Sequence, residues 1–193
     1  MTTAAIVNAG HVGDPRMTSL CDGTRVQKNS PYITALGAVE ELNAQLGLLA
    51  SHVDPELRAL VLAVQNDLMH LQAELSVPGS EPLAAAASDS LGAVIDRLAA
   101  SLPRVLKGGV IPGGSPPAAA CHVARSKCRA LEREIVALQD ADPSALPTAL
   151  PYVDRLSDLL LFVAQALNQR AGVVPTYFSS SDDAVAIPSR QGF

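Results

Sequence analysis

The sequence predicts an all-α chain: a five-helix bundle preceded by an irregular N-terminal arm. Three observations lead there. Ala and Leu dominate while β-branched clusters are short, a bias that favours helices. Apolar residues recur at spacings of three and four in five separate segments, the period of a helix with one buried face. Between those segments stand short Pro-, Gly- and Ser-rich breaks, as the turns of a bundle require. At 193 residues, 48% hydrophobic and 17% charged, the chain can build one ordinary core and is too apolar for a disordered polymer.

The elements follow in order. Gly10, Gly13, Pro15, Gly23 and Pro31 punctuate polar sequence, so residues 1–31 form the arm, with Ala4, Ala5, Ile6 and Val7 as a short extended piece. Ser30 caps the first helix and Pro31 opens it, because proline's missing N–H is not needed in the first turn. Ile33, Leu36, Val39, Leu42, Leu46 and Leu49 give that helix one apolar face, to about residue 53. Asp54 and Pro55 repeat the arrangement for a second helix over 55–76, whose stripe includes Leu57, Val61, Val64, Leu68, Leu71 and Leu75. After a break at 77–82, a third helix begins near Leu83 and runs through Leu91, Ile95 and Leu98 to Leu102, stopping before Pro103. A Gly- and Pro-rich passage over 108–115 leads to Ser115 as cap and Pro116 as opener of a fourth helix, 116–140. The fifth spans 150–171, with Leu156, Leu159, Leu160, Val163, Ala164 and Leu167 inside. This divides the chain into an arm (1–31), a ferritin-like up-down bundle domain (32–171) and a flexible C-terminal tail (172–193).

Composition excludes several functions. Fourteen basic against nineteen acidic residues leave a net charge of −5, and aromatics are 3% with no Trp, which argues against nucleic-acid binding. No apolar run approaches the roughly 20 residues of a membrane span, and the N-terminus lacks a secretion signal. Cys21, Cys121 and Cys128 are an odd set. The latter two are separated by roughly 10 Å of helical rise, too far to bridge, so a reduced, cytoplasmic protein is expected. His11, His52, His70 and His122 show no paired metal spacing, and no metal site is predicted. Neither a P-loop, a dinucleotide fingerprint nor a nucleophile elbow is present.

Chemistry-bearing residues concentrate in two places. His122, Arg125, Arg129 and Glu132 are three, four and three residues apart, one stripe of the fourth helix. On an exposed face such a stripe is solvated charge, but the small and apolar residues from Pro116 to Val123 predict that its opening turns are buried. A buried Arg needs a carboxylate or phosphate, and the bundle offers Glu40, Glu41, Asp154 and Asp158. Pro112, Gly113, Gly114 and Ser115 stand immediately before this helix, where backbone N–H groups can meet an anion. In the arm, Gly13, Asp14, Arg16, Thr18, Ser19, Asp22, Gly23, Thr24, Arg25 and Lys28 interleave glycines, hydroxyls and cations, a pattern suited to polyphosphate with a carboxylate beside it for a divalent cation. An ordinary polar arm would have the same spacing.

In order along the chain, these blocks resemble the PduO-type ATP:cob(I)alamin adenosyltransferase family. Gly13-Asp14 through Thr18-Ser19-Leu20 and then Gly23-Thr24-Arg25-Val26-Gln27-Lys28 resemble its TGDxGxTxL…GxRxxK arm. The run Ala35-Leu36-Gly37-Ala38-Val39-Glu40-Glu41-Leu42-Asn43 is similar to AYGxVDELN. Ile111-Pro112-Gly113-Gly114-Ser115 followed by His122-Val123-Ala124-Arg125 and Arg129-Ala130-Leu131-Glu132-Arg133 resembles LPGGS…HxARTxxRRAER. Tyr152-Val153-Asp154-Arg155-Leu156-Ser157-Asp158, with Phe162 and Asn168 beyond, resembles YLNRLSDxLFxxAR…N.

The resemblance implies a homotrimer with active sites between subunits, where the arm wraps ATP with Mg²⁺ and a corrinoid sits at the bundle end. The cobalt of cob(I)alamin attacks C5′ of ATP and triphosphate leaves. It assigns Arg125, Arg129, Glu132 and Glu40 to catalysis, Arg125 pairing with the Glu40 carboxylate. ATP falls to Gly13, Asp14, Arg16, Thr18, Arg25, Lys28, Arg129 and Asp154, and the corrinoid to Gly109, Ile111 and His122. A reductase or a cobalamin-dependent enzyme is the implied protein partner.

The sequence also departs from the pattern. Val12, Pro15, Arg16 and Met17 change the arm, Gly109 stands where the family has Phe, Asp154 replaces Asn and Gln165 replaces Arg. These departures suit two other readings: a catalytically weak paralogue that binds corrinoid or nucleotide for storage, delivery or sensing, and a helical interaction module.

Overall fold

The first two helices begin at the caps the sequence supplies. In the computed structural model, which describes residues 13–77, 80–102 and 109–178, Ser30 is extended and its Oγ accepts from the Ile33 N–H, opening α1 (Pro31–Ala50). Asp54 accepts from the Leu57 N–H at 2.9 Å and opens α2 (Pro55–Ser76). Because Ser51 and His52 bond back onto Leu48 and Leu49, α1 ends at Ala50 rather than near residue 53. The start of α3 (Ala86–Ser101) also lies beyond the expected Leu83. Leu83 is drawn into the core instead, and its N–H donates to Glu74 Oε1 at 2.8 Å.

Ser115 does not cap α4 (Pro116–Ala141) through its hydroxyl, contrary to the sequence expectation. Its N–H donates instead to Asn168 Oδ1 at 2.8 Å, and Asn168 Nδ2 donates to the Gly113 carbonyl at 3.2 Å. Asn168 belongs to the last turn of α5 (Ala149–Arg170). One buried amide thus fastens the end of the fifth helix to the loop before the fourth.

The helices share one hydrophobic core. α4 packs on α5 and α1, α1 on α2, and α3 on α5. Val39, Leu42, Leu46 and Leu49 point inward from α1, whereas Ile33 and Leu36 are only half-buried. Leu42, Leu68, Leu131 and Leu156 are each fully enclosed, a burial worth about 2 kcal/mol per leucine. Tyr152 is the largest fully enclosed side chain. Its hydroxyl donates to Asp67 Oδ2 at 2.9 Å, tying α5 to α2 with its polar tip satisfied.

The arm is more ordered than its glycines suggest. β1 (Met17–Ser19) and β2 (Arg25–Gln27) form an antiparallel hairpin with Thr18 opposite Val26. Its turn is closed by Asp22, whose carboxylate accepts from the Thr24 N–H and hydroxyl at 2.8 Å, and by Gly23 at φ +87. The hairpin meets the bundle where the Cys21 N–H donates to the Ser76 carbonyl at 3.2 Å. The extended piece expected at Ala4 to Val7 lies outside the described residues.

The beginning of the segment read as a flexible tail is fastened down. Gly172 turns the chain at φ +66; Val110 then pairs with Tyr177, the Ile111 N–H donates to Thr176, and the Phe178 N–H donates to Gly109, both at 2.8 Å. Residues 179–193 lie outside the described part.

Candidate active site

The α4 sequence separates a buried stripe from a functional one. Ala118, Cys121, Ala124, Cys128, Leu131, Ile135 and Leu138 face the core, which turns His122, Arg125, Arg129 and Glu132 along the flank. Small residues at 118, 121, 124 and 128 let α4 lie close to its neighbours. Burial pushes the Cys121 thiol up to about 12. Cys128 is raised further by burial and Glu132, and its Sγ donates to the Val153 carbonyl at 3.2 Å. Both thiols are packing groups rather than nucleophiles.

Beside this stripe, α4 and the start of α5 border an open cavity of about 660 Å³ lined by Arg129, Glu132, Arg133, Val136, Leu150, Pro151 and Asp154. Arg129 Nη1 stands 3.8 Å from Glu132 Oε2, with the arginine half exposed and the carboxylate mostly covered. At that distance the guanidinium retains donors for a further anion. Arg129 and Glu132, which the helical spacing put on one stripe, line this cavity together with Asp154 of α5. Arg133, Val136 and Leu150 were missed there, although Arg133 and Val136 follow Arg129 and Glu132 by one helical turn.

Arg125 and His122 lie on the same helix but do not line this cavity. Arg125 Nε is buried without a hydrogen-bond partner among the described residues. Glu40 is exposed on α1, and the pair expected between it and Arg125 is not made within one chain; α1 and α4 are joined instead by Lys127 Nζ and Glu41 Oε1. His122 is half-buried, and desolvation, aided by Arg125, holds its imidazole below the ordinary value, which favours the neutral form.

The arm forms a second cavity of about 520 Å³, lined by Asp14, Pro15, Arg16, Met17, Gln27, Lys28 and Asn29. Arg16 is folded onto Asp14, with Nη2 to Oδ2 at 2.9 Å and its own backbone N–H on Oδ1 at 2.9 Å. The side-chain hydrogen bond, then the backbone one, holds the Asp14 carboxyl below its ordinary range. Lys28 is exposed and forms none of the ion pairs among the described residues. Gly13 adjoins the cavity at φ +98. Thr18 and Arg25 lie on the hairpin rather than in the lining, and Arg25 Nη1 reaches Ser19 Oγ at 3.4 Å. Gly109 and Ile111 are elsewhere again, on the loop before α4.

These two cavities can each grip an anion, and together with the Pro112–Ser115 loop they occupy the positions of the motif blocks. Residues 10–167 match the cobalamin adenosyltransferase family. The chain belongs to that family. Among relatives of this adenosyltransferase, a cobalamin adenosyltransferase of Cupriavidus metallidurans is 44% identical over 167 residues, covering 85% of this chain and 89% of that one. A corrinoid adenosyltransferase of Mycobacterium tuberculosis is 38% identical over 173 residues, covering 84% and 89%. In three dimensions the chain is similar to a variant PduO-type ATP:corrinoid adenosyltransferase from Lactobacillus reuteri complexed with cobalamin and ATP, at a TM-score of 0.77 and 26% identity over 84% of this chain and 94% of that one. A second variant of that protein, complexed with ATP, gives 0.76 and 27%, over 85% and 95%.

No described helix is long and apolar enough to cross a membrane. Among the described residues, no three His, Cys, Asp or Glu side chains group closely enough to hold a metal ion.

Proposed function

We infer that the chain is an ATP:corrinoid adenosyltransferase that moves the 5′-deoxyadenosyl group of ATP onto the cobalt of a cob(I)alamin-type substrate. The cobalt electron pair forms the Co–C5′ bond as the C5′–O bond breaks, and triphosphate departs with that bond's electrons. The carrying observation is the α4–α5 cavity, which gathers Arg129, Arg133, Glu132 and Asp154 in a chain matched to the family over 10–167. Charge builds on the leaving oxygen, and fixed guanidinium donors stabilise it most at that moment. Arg129 and Lys28 hold phosphate, while Gly13 and Thr18 shape the arm and Arg25 adds positive charge beside Asp14. Mg²⁺ usually binds substrate phosphates plus one or two carboxylates; Glu132, mostly covered beside Arg129, would hold it, where it supplies charge neutralisation. Gly109, Ile111 and His122 form the corrinoid side.

The arm cavity and the α4–α5 cavity share no lining residue, and among the described residues Arg125 Nε has no hydrogen-bond partner and Glu40 forms no ion pair. Both facts support a homotrimer in which one subunit's arm and Glu40 complete the site of the next. A reductase delivers the reduced corrinoid, and the exposed free Cys21 is compatible with a cytoplasmic location. One observation favours the second reading, a weak paralogue for storage, delivery or sensing: Arg16 is engaged by Asp14 rather than available to phosphate.

The test is anaerobic mixing with cob(I)alamin and ATP-Mg²⁺, following Co–C bond formation by absorbance and triphosphate by ion chromatography. Turnover that falls at least about 100-fold in Arg129→Ala supports the enzyme. Corrinoid binding without triphosphate release supports the paralogue, and no binding of either ligand rejects both.

A further inference from the structure

The arm carries a carboxylate that the sequence offers to a divalent cation, yet its surroundings do not suit one. Asp14, Pro15, Arg16 and Met17 form a β-turn closed by the Met17 N–H on the Asp14 carbonyl at 3.0 Å. Proline stands at its second position, where a fixed φ suits the turn. That turn carries Arg16 back over Asp14. The Arg16 backbone N–H donates to Oδ1 at 2.9 Å, Nε donates to both carboxylate oxygens at 3.2 Å, and Nη2 donates to Oδ2 at 2.9 Å. A carboxylate has about four lone-pair sites, and the four contacts from this one residue use them. Mg²⁺ demands oxygens at roughly 2.0–2.1 Å in octahedral order. A guanidinium seated on both oxygens blocks that approach and repels the ion. Asp22, the other carboxylate of the arm, already accepts from the Thr24 N–H and hydroxyl in the hairpin turn.

Cations gather here instead. The Lys28 N–H donates to the Arg16 carbonyl at 2.8 Å, one step beyond the Met17–Gln27 pair of the hairpin. Arg16 and Lys28 thus stand side by side, and both line the arm cavity with Asp14. Arg25 adds its positive field to Asp14 from β2. An ion pair as exposed as Arg16 and Asp14 contributes little to folding stability. Its effect is on charge: an uncovered Asp14 would face the phosphate chain of ATP as a like charge.

We propose that Arg16 is a built-in counter-cation of the arm: it takes the place beside Asp14 that a divalent ion would fill, so the arm grips the triphosphate chain through Lys28 without a metal of its own. The proposal rests on the adenosyltransferase reading and narrows it, because Glu132 on α4 is left as the carboxylate for Mg²⁺. Arg16 acts through Asp14 and is a positioning residue, not a catalytic one.

The experiment measures ATP affinity by calorimetry across a Mg²⁺ titration, in low and high salt, for the wild type, Arg16→Ala, Asp14→Asn and the double variant. Arg16→Ala is expected to weaken ATP binding about tenfold in low salt and far less in high salt. Adding Asp14→Asn to it should restore affinity to within about twofold of wild type, a rescue that a merely structural role of Arg16 would not give. Asp14→Asn alone keeps or tightens ATP binding and leaves the Mg²⁺ midpoint where it was. A weakened Asp14→Asn protein with a raised Mg²⁺ midpoint makes Asp14 a metal ligand and overturns the proposal. A double variant as weak as Arg16→Ala overturns it too, since Arg16 then holds phosphate directly, and so does an Arg16→Ala protein that binds ATP like wild type. A wild type that binds no ATP at any Mg²⁺ level removes the underlying reading and this inference with it.

Discussion

Replacing Gly114 with alanine tests how the loop before α4 is set. Gly114 has φ +105, a region where a Cβ is strained, at a cost of roughly 1–2 kcal/mol. The added carbon would lie 2.2 Å from Asn168 Oδ1, 2.4 Å from Nδ2 and 2.5 Å from Cγ. Asn168 is 3% exposed and cannot step aside while keeping its bonds to the Ser115 N–H and Gly113 carbonyl. Two hydrogen bonds at about 1 kcal/mol each, with partners left orphaned in a buried place, bring the expected loss to about 4 kcal/mol. That is a large part of a domain's usual 5–15 kcal/mol. Asn168→Ala removes the obstacle and alone costs about 2 kcal/mol. The double variant should then lose about 3.5 kcal/mol, well short of the roughly 6 kcal/mol sum. Urea denaturation of the four proteins measures this. Additive losses, or a Gly114→Ala protein within 1 kcal/mol of wild type, would refute the lock.

Further predictions concern charge. Tyr32 donates to Asp142, whose carboxyl is held below 3.8 by Ser144 and Tyr32, while Tyr32 is raised above 10.0 chiefly by Asp142. The depressed carboxyl stabilises the fold above its unfolded value and loses that contribution as pH falls through the folded one. The raised phenol stabilises below its unfolded value and loses it as pH rises through the folded one. Tyr32→Phe should therefore flatten both the acid and alkaline limbs of the urea midpoint against pH; an unchanged profile would show that the contact does not carry the dependence. Asp154→Asn, at the exposed mouth of the Arg129 cavity, should lower the KM for ATP about threefold in low salt and have no effect at 1 M salt. Steady-state kinetics at the two ionic strengths decides it, and a raised KM would place the carboxylate on the binding side.

Periodic segments were legible because burial alone determines them. Val39, Leu42, Leu46 and Leu49 in α1 and Leu68, Leu71 and Leu75 in α2 point where their spacing says. What escaped depends on contacts between segments far apart in sequence. Ser115 reads as a cap until Asn168, 53 residues away, takes its N–H. Leu83 reads as helix until Glu74 binds its backbone. The extended segment at 173–178 has no local signature beyond alternation, since its partner is the Gly109–Ile111 stretch. The site was legible in the same measure. The Arg129–Glu132 step is a helical spacing and appeared as such, but the cavity needs Leu150 and Asp154 from another helix.

The hairpin contributes no buried residue to the core and, among the described residues, shares a single backbone bond with it, from Cys21 to Ser76. Exchanges at Pro15, Arg16 or Met17 therefore leave the rest of the molecule to mature unharmed. Natural variation can explore new nucleotide chemistries there without risking collapse, a freedom that α4, with Cys121, Cys128 and Leu131 sealed beneath its charged flank, does not have.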